Sequence, residues 1–324
     1  MSERYEIPIQ RDLAEELFAF WKEIFGSEDP DIPIGVFLGD EVDDNRLITY
    51  LERDGDTLAG TCGITISKAE SRLAGFGEVA TLPEYRGRGI ATRLCGQAVE
   101  EFVEQGGEAV FLGTGNPEAA RIYHRLGWRR IAGSNVWANV TTGDSPEEYL
   151  ADYYRTPGNV SIVPGDASLR VPMIPLLLTP HDWQVLDGNL PVPMLSIRYA
   201  VQSSCMGLCR KYYDLVKHEG TAWFAARTDD GRIVGISTAK MIDSNSCAVD
   251  GFIHARHGDS YDALIGAAIE WGRFDGASLV TSRLSVEDED KQAAFESLGF
   301  RKGDVDGSFE LEDREVEAVA MTLD

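Results

Sequence analysis

Val79-Ala-Thr-Leu-Pro-Glu-Tyr-Arg86-Gly87-Arg88-Gly89-Ile90-Ala91-Thr92 reads as a strand end, a proline turn and a glycine-rich basic loop opening directly into a helix. Successive amides in such a loop point into one concavity, and the helix N-terminus adds partial positive charge. Gly87 and Gly89 let the backbone approach a bulky anion without interference from a Cβ. Arg86 and Arg88 add fixed positive charge. The stretch is built like a pyrophosphate site. It is not a Walker loop, because no Gly-Lys-Ser/Thr follows, and the dinucleotide pattern Gly-x-Gly-x-x-Gly is absent. Taken alone, it could also be a strand-to-helix turn carrying two solvated arginines.

The flanking sequence places the loop in an α/β unit. Leu13, Leu17, Phe18, Trp21 and Ile24 mark one face of a helix over 11–25. Leu47 to Leu51 and Thr57 to Ile66 predict two strands around the turn Asp54-Gly55-Asp56. A third strand runs from Gly75 to Leu82, with Phe76, Glu78 and Ala80 expected on one face. The helix after the loop spans 89–105, with Leu94, Ala98, Phe102 and Val103 facing inward, and Gly106-Gly107 stops it. Ala109 to Gly113 is a strand. Pro117 to Leu126 is a helix capped by Asn116 and ended by Gly127, and edge strands follow over 128–131 and 135–139.

Asn116-Pro-Glu-Ala-Ala-Arg-Ile-Tyr123-His-Arg-Leu126-Gly127-Trp128 lies one strand beyond the basic loop. Arg86-x-x-Gly89-x-Ala91, followed by Asn-x-x-Ala-x-x-x-Tyr-x-x-Leu-Gly-aromatic, resembles the GNAT superfamily of acyl-CoA-dependent N-acyltransferases. The likeness is specific at both motifs and covers residues 5–140 well. It implies that Arg86, Gly87, Arg88, Gly89, Ile90, Ala91 and Thr92 bind the pyrophosphate of coenzyme A. It implies that Ala80, Thr81 and Leu82 pair with the pantetheine arm and that Asn116 contacts that arm. Tyr123 would then be the general acid for the leaving thiolate. An amine attacks a thioester without an enzyme nucleophile, and strand-end amides can stabilise the developing oxyanion. Ile122 and Leu126 are expected to fill the core beside Tyr123, while His124 points elsewhere. The candidate general base is Glu78, with a water chain or a plain ion-paired carboxylate as the alternatives.

A similar order of elements returns in the second half. Trp223–Arg227 and Arg232–Lys240 flank Asp229-Asp230-Gly231; a strand over 247–253, a helix over 261–273, a strand over 278–282 and a helix over 291–298 follow. The spacing from Gly55 to Gly231 nearly equals that from Gly127 to Gly299, so one module occurs twice. In the second copy Asp259 stands where Gly89 would be, Tyr261 where Ala91 would be, and Phe295 where Tyr123 would be. A carboxylate repels a pyrophosphate, and phenylalanine has no phenolic proton. This half resembles a degenerate GNAT domain without its own cofactor, over residues 179–310. The predicted fold is α/β (α+β), with two GNAT-like domains, each a mixed, mostly antiparallel sheet flanked by helices. The expected division is 1–140, a Pro/Gly-punctuated connector over 141–178 with a short helix near 147–154, and 179–324, a pseudo-dimer within one chain.

Asp plus Glu is 54 and Lys plus Arg is 30 in 324 residues, a net charge of -24. That field disfavours nucleic acid and anionic membrane as partners. It would suit a cationic acceptor such as a polyamine, an aminoglycoside or a Lys-rich tail, or serve only to solvate the surface. Low Lys beside abundant Asp and Glu fits salt adaptation, and a GC-rich genome gives the same Arg bias. Cys62, Cys95, Cys205, Cys209 and Cys247 form no disulfide framework and no His stands at ligand spacing, so neither metal nor zinc is expected. The start of the chain has no apolar signal region, and Val171–Leu178 is too short and proline-broken to span a bilayer, which predicts a cytoplasmic protein. The expected activity is acetyl transfer from acetyl-CoA to a primary amine of a small molecule or peptide. The other reading is an acyl-CoA-binding regulatory protein that does no chemistry.

Overall fold

The computed structural model describes residues 2–26, 32–190, 206–311 and 314–324. The first half runs β1 (Ser2–Glu6), α1 (Arg11–Phe25), α2 (Ile34–Leu38), β2 (Asn45–Asp54), β3 (Thr57–Ser67) and β4 (Leu73–Thr81). It continues with α3 (Ile90–Glu104), β5 (Ala109–Gly113), α4 (Pro117–Arg125), β6 (Arg129–Arg130) and β7 (Val136–Val140). Residues 141–178, the expected connector, hold α5 (Pro146–Tyr153), β8 (Val160–Pro164) and α6 (Met173–Leu178). Next come α7 (Met206–Val216), β9 (Thr221–Thr228), β10 (Ile233–Met241), β11 (Ser246–Ile253) and α8 (Tyr261–Phe274). The last elements are β12 (Leu279–Ser285), α9 (Glu289–Ser297), β13 (Arg301–Leu311) and β14 (Arg314–Leu323).

The two halves have one topology. The first sheet has the order β1-β2-β3-β4-β5-β7-β6, and the second, read from its far edge, β8-β9-β10-β11-β12-β14-β13. Each is antiparallel except for one described parallel pair, β4 with β5 and β11 with β12. The strand β8 takes in the second sheet the place that β1 takes in the first. Both hairpins turn on a glycine in the left-handed region, Gly55 at φ 60° and Gly231 at φ 88°.

Helix α3 buries the face its spacing predicts, with one exception. Leu94, Ala98 and Phe102 of α3 are buried, but Val103 is 40% exposed. One residue turns a helix by about 100°, so Val103 leaves the face that Phe102 occupies. Helix α6 is apolar all round because it is buried all round.

The halves meet through polar contacts as well as packing. Arg170 forms a two-pronged ion pair with Glu41, its Nε donating at 2.8 Å, and Asn45 Nδ2 donates to the Ala167 carbonyl at 2.7 Å. Glu70, almost fully buried, accepts from Arg72 and from the Tyr153 hydroxyl at 3.1 Å. The turn of the second hairpin lies on the β3–β4 turn: a Cβ on Gly231 would stand 2.1 Å from the Ala69 carbonyl oxygen. Only glycine fits there.

Candidate active site

Strand β4 begins as a regular member of the sheet and then leaves it. Its ladder with β5 covers Leu73–Gly75 against Ala109–Phe111, and beyond that the two strands part. On the other side the register with β3 slips between the pairs Gly63↔Gly77 and Thr61↔Ala80. Two residues of β4, Glu78 and Val79, face the single Cys62, which is a β-bulge. Glu78 has φ 52°, the one positive φ at a non-glycine among the described residues. Its carbonyl oxygen accepts from Thr61 Oγ1 at 2.6 Å, and Thr61 Oγ1 accepts from Trp21 Nε1 at 2.9 Å. A Cβ on Gly63 would lie 3.0 Å from Glu78 Oε2, so that glycine makes room for the carboxylate.

The bulge overturns one expectation. Phe76 packs in the core under α3, with Tyr123 and Trp128, whereas Ala80 packs in the core under α1. One inserted residue exchanges the faces of everything after it. Glu78 therefore stands over Gly63 on the α1 face, away from Phe76. Helix α7, from the second half, packs against β4.

The basic loop has the predicted form. A 3-10 turn, Pro83–Tyr85, leads into Arg86, and both Gly87 (φ 76°) and Gly89 (φ 75°) are left-handed. Gly89 is the N-cap of α3 and supplies no side chain to its first amides, which leaves them open to an outside anion. The arginines brace the loop: Arg86 Nε donates to the Thr81 carbonyl at 3.2 Å and Arg88 Nη2 to the Glu84 carbonyl at 3.2 Å. Arg88 also lies over the Tyr85 ring. Ala80 and Thr81 pair with Thr61 and Gly60, and the Leu82 amide donates to the Ala59 carbonyl at 3.0 Å. Ile90 is buried and Ala91 and Thr92 begin α3. A coenzyme A pyrophosphate fits this cradle on its own chemistry, with glycines at the closest approach and amides unspent.

Asn116 caps α4, its Oδ1 accepting from Glu118 N at 2.8 Å and Ala119 N at 3.4 Å. Tyr123 is the buried residue of α4, 6% exposed, while Ile122 and Leu126 are only half-buried, the reverse of the expectation. The tyrosine ring packs 5.7 Å from Trp128, whose own ring lies 5.3 Å from Phe76, so the aromatic stack takes the space the aliphatics would fill. His124 is exposed, as expected. Burial first, and then the neighbouring Cys95, Cys62 and Glu78 side chains, hold the Tyr123 phenol well above its ordinary range. It is a neutral proton donor at every physiological pH. Glu78 and Tyr123 thus flank the place where β4 parts from β5, the carboxylate on the α1 face and the phenol on the α3 face.

Sequence reasoning missed Thr61 and Trp21. Both read as ordinary residues of a strand and of an amphipathic helix face, and only the register slip reveals what they hold.

Among its described residues the second half has neither the bulge nor the tyrosine. Strand β11 pairs with β10 in unbroken register, without a bulge. Phe295 stands in α9 where Tyr123 stands in α4 and is fully buried. The gap beside β11 is filled by the chain itself. The Gly188 amide donates to Asp250 Oδ2 at 2.6 Å, and a Cβ on Gly188 would lie 3.3 Å from the Arg283 carbonyl of β12. Asn189 Nδ2 donates to the Ala248 carbonyl at 3.0 Å, and Lys291 Nζ reaches Asp250 at 2.7 Å and the carbonyls of Val185 and Leu186.

Among the described residues no group of His, Cys, Asp or Glu is placed to hold a metal ion, and no helix is long and apolar enough to cross a membrane. Cys62, Cys95, Cys209 and Cys247 are buried free thiols; Cys205 lies outside the described residues.

A β4 that splays from β5, an uncapped glycine-rich helix start and a buried tyrosine one strand on stand together in the first half. Residues 11–128 match the Acetyltransferase (GNAT) family, and this part of the chain is a GNAT acetyltransferase domain. No curated protein matches the chain. Solved structures similar to it include the spermidine N-acetyltransferase from Vibrio cholerae in complex with CoA and spermine. That structure is 16% identical, with 38% of this chain and 76% of that chain covered and a TM-score of 0.33. The spermidine/spermine N-acetyltransferase from the same organism, in complex with manganese ions, is 13% identical over 51% of this chain and 91% of that chain, with a TM-score of 0.36. Nourseothricin acetyltransferase is 23% identical over 32% of this chain and 65% of that chain, with a TM-score of 0.29.

Proposed function

We propose that the chain transfers the acetyl group of acetyl-CoA to a primary amine, in its first half only. The observation that carries this reading is the retention of loop, bulge and Tyr123 together in one half and the loss of all three in the other.

Acetyl-CoA supplies an acyl group activated as a thioester. The amides of Gly87 to Thr92, at the positive end of α3, bind the pyrophosphate, with Arg86 and Arg88 keeping the loop in shape. The end of β4, from Ala80 to Leu82, lines the pantetheine arm, and Asn116 borders it while capping α4. The amine enters on the α1 face, where α7 of the second half forms part of the wall. Glu78 on that face takes the proton that an ammonium must lose before attack. A backbone amide at the bulge stabilises negative charge on the carbonyl oxygen. Tyr123, on the other face, gives its proton to the departing sulfur. The acid and the base therefore approach the reacting carbon from opposite sides of the sheet.

The test is thiol release from acetyl-CoA by the full chain in the presence of spermidine, an aminoglycoside or a Lys-rich peptide. Release that depends on the amine supports the proposal. Tight acetyl-CoA binding without release across a broad panel of amines would replace it with the regulatory reading.

A further inference from the structure

The bulge at Glu78 costs energy. A non-glycine residue at positive φ is strained, so something must hold it. The Thr61 hydroxyl does so, donating to the Glu78 carbonyl at 2.6 Å. A hydroxyl that donates one proton is oriented by what it accepts, and the buried indole of Trp21 donates to it at 2.9 Å. Trp21, Thr61 and the Glu78 carbonyl are thus a directed chain of hydrogen bonds running from α1 through β3 into β4.

That chain determines where the next amide points. A trans peptide is planar, and its C=O and N–H lie on opposite sides. With the Glu78 carbonyl tied to β3, the Val79 N–H is turned away from β3, toward the β5 side of β4. There the ladder has already ended, at Gly75 opposite Phe111. Among the described residues no strand pairs with that amide at this point of the sheet.

The second half serves as an internal comparison. Pairing Gly60 with Gly235 and Leu73 with Ser246 aligns Thr61 with Ile236, an apolar side chain, and gives β4 one residue more than β11 between Ser246 and Phe252. The bulge and the hydroxyl that pins it are absent together.

We propose that Thr61, oriented by Trp21, is the positioning residue that aims the Val79 amide at the acyl carbonyl oxygen. This rests on the acetyl-CoA reading above. The relay touches neither the pyrophosphate loop nor Tyr123, so it governs polarisation of the acyl group and not cofactor affinity.

The experiment is isotope-edited infrared spectroscopy of bound acetyl-CoA, labelled with carbon-13 at the acetyl carbonyl, with affinity measured in parallel by calorimetry. The Thr61→Val variant is expected to raise the carbonyl stretch relative to wild type, as a hydrogen bond to that oxygen is lost, while its affinity stays near wild type. Thr61→Ser is expected to restore the wild-type band. Trp21→Phe, which keeps a ring and removes the N–H, should give a smaller upward shift and supplies the test should the valine variant not fold. A bound variant whose band coincides with that of wild type overturns the relay alone. Wild-type protein that binds no acetyl-CoA overturns the cofactor reading, and the relay with it.

Discussion

Tyr123 and Phe295 occupy the same place, seventh of nine residues, in α4 and α9, and differ by one hydroxyl. Each helix is then closed by a leucine and a left-handed glycine, Gly127 at φ 98° and Gly299 at φ 92°. Tyr123→Phe therefore makes the first half resemble the second at this position. Turnover should fall by about 10²-fold or more, the usual contribution of a positioned proton donor. Affinity for acetyl-CoA should stay within about twofold, since the phenol acts only as the sulfur leaves. Steady-state kinetics with calorimetry checks both halves of the statement; full activity would remove Tyr123 from the reaction.

Each chain should bind one acetyl-CoA. In the second half Gly188 and Asn189 lie in the gap that the first half leaves open. Asp259→Gly, which restores the glycine of the basic loop, should therefore leave the calorimetric stoichiometry at one. Gly89→Ala should weaken binding by about tenfold, because a left-handed alanine costs about 1–2 kcal/mol. Its Cβ would also meet Arg93 Nη1 at 3.3 Å.

Glu41→Gln should destabilise the chain by about 3 kcal/mol, read from urea denaturation. Arg170 is 2% exposed and two-pronged on Glu41, and its charge would be left buried without a counter-charge. The double variant Glu41→Gln/Arg170→Met should recover much of the loss, since an apolar replacement of a buried pair is often close to neutral. Additive losses would show that the pair contributes only through packing.

His181 sets a dependence of stability on pH. Burial lowers its pKa to about 4, from an ordinary value near 6.5, and its Nε2 lies 2.7 Å from the Leu176 carbonyl, to which the neutral ring donates. The folded state holds the ring neutral, so the unfolded state binds more protons below about pH 6.5. Stability is fully present above that pH and is lost as pH falls toward 4. Burial depresses His254 in the same way. His181→Gln should reduce the slope of unfolding free energy against pH between about 6.5 and 4. An unchanged slope would show that the imidazole titrates alike in both states.

Most of the fold is legible along the chain because its elements are amphipathic and punctuated. Helix α1 occupies the predicted residues because Leu17 and Trp21 recur at helical spacing and Gly26 closes it at φ 67°. Strand β1 is not legible. Ser2–Glu6 is a charged edge strand held by Arg4 on Glu101 at 2.9 Å, a contact with a residue far along the chain. Strand β13 is also hidden, because its exposed Arg301–Gly307 run carries no apolar alternation and owes its form to pairing with β14. At the site, the loop and Tyr123 announce themselves because their chemistry demands particular residues at fixed spacing. The bulge does not, since Gly75-Phe-Gly-Glu-Val-Ala spells a regular strand until the register of β3 is known. That is why the face assigned to Ala80 relative to Phe76 is inverted in the structure.

The matching of strand order to chain order bears on how the molecule is made. Every strand of the first sheet lies between Ser2 and Val140, and every strand of the second between Val160 and Leu323. Among the described residues neither sheet borrows a strand from the other. The equipped half can therefore close its sheet while the ribosome is still adding the second, as consecutive domains generally do. The later half then docks α7 onto β4 and seals Arg170 against Glu41. A first half standing alone would therefore present β4 without α7 and Glu41 without Arg170.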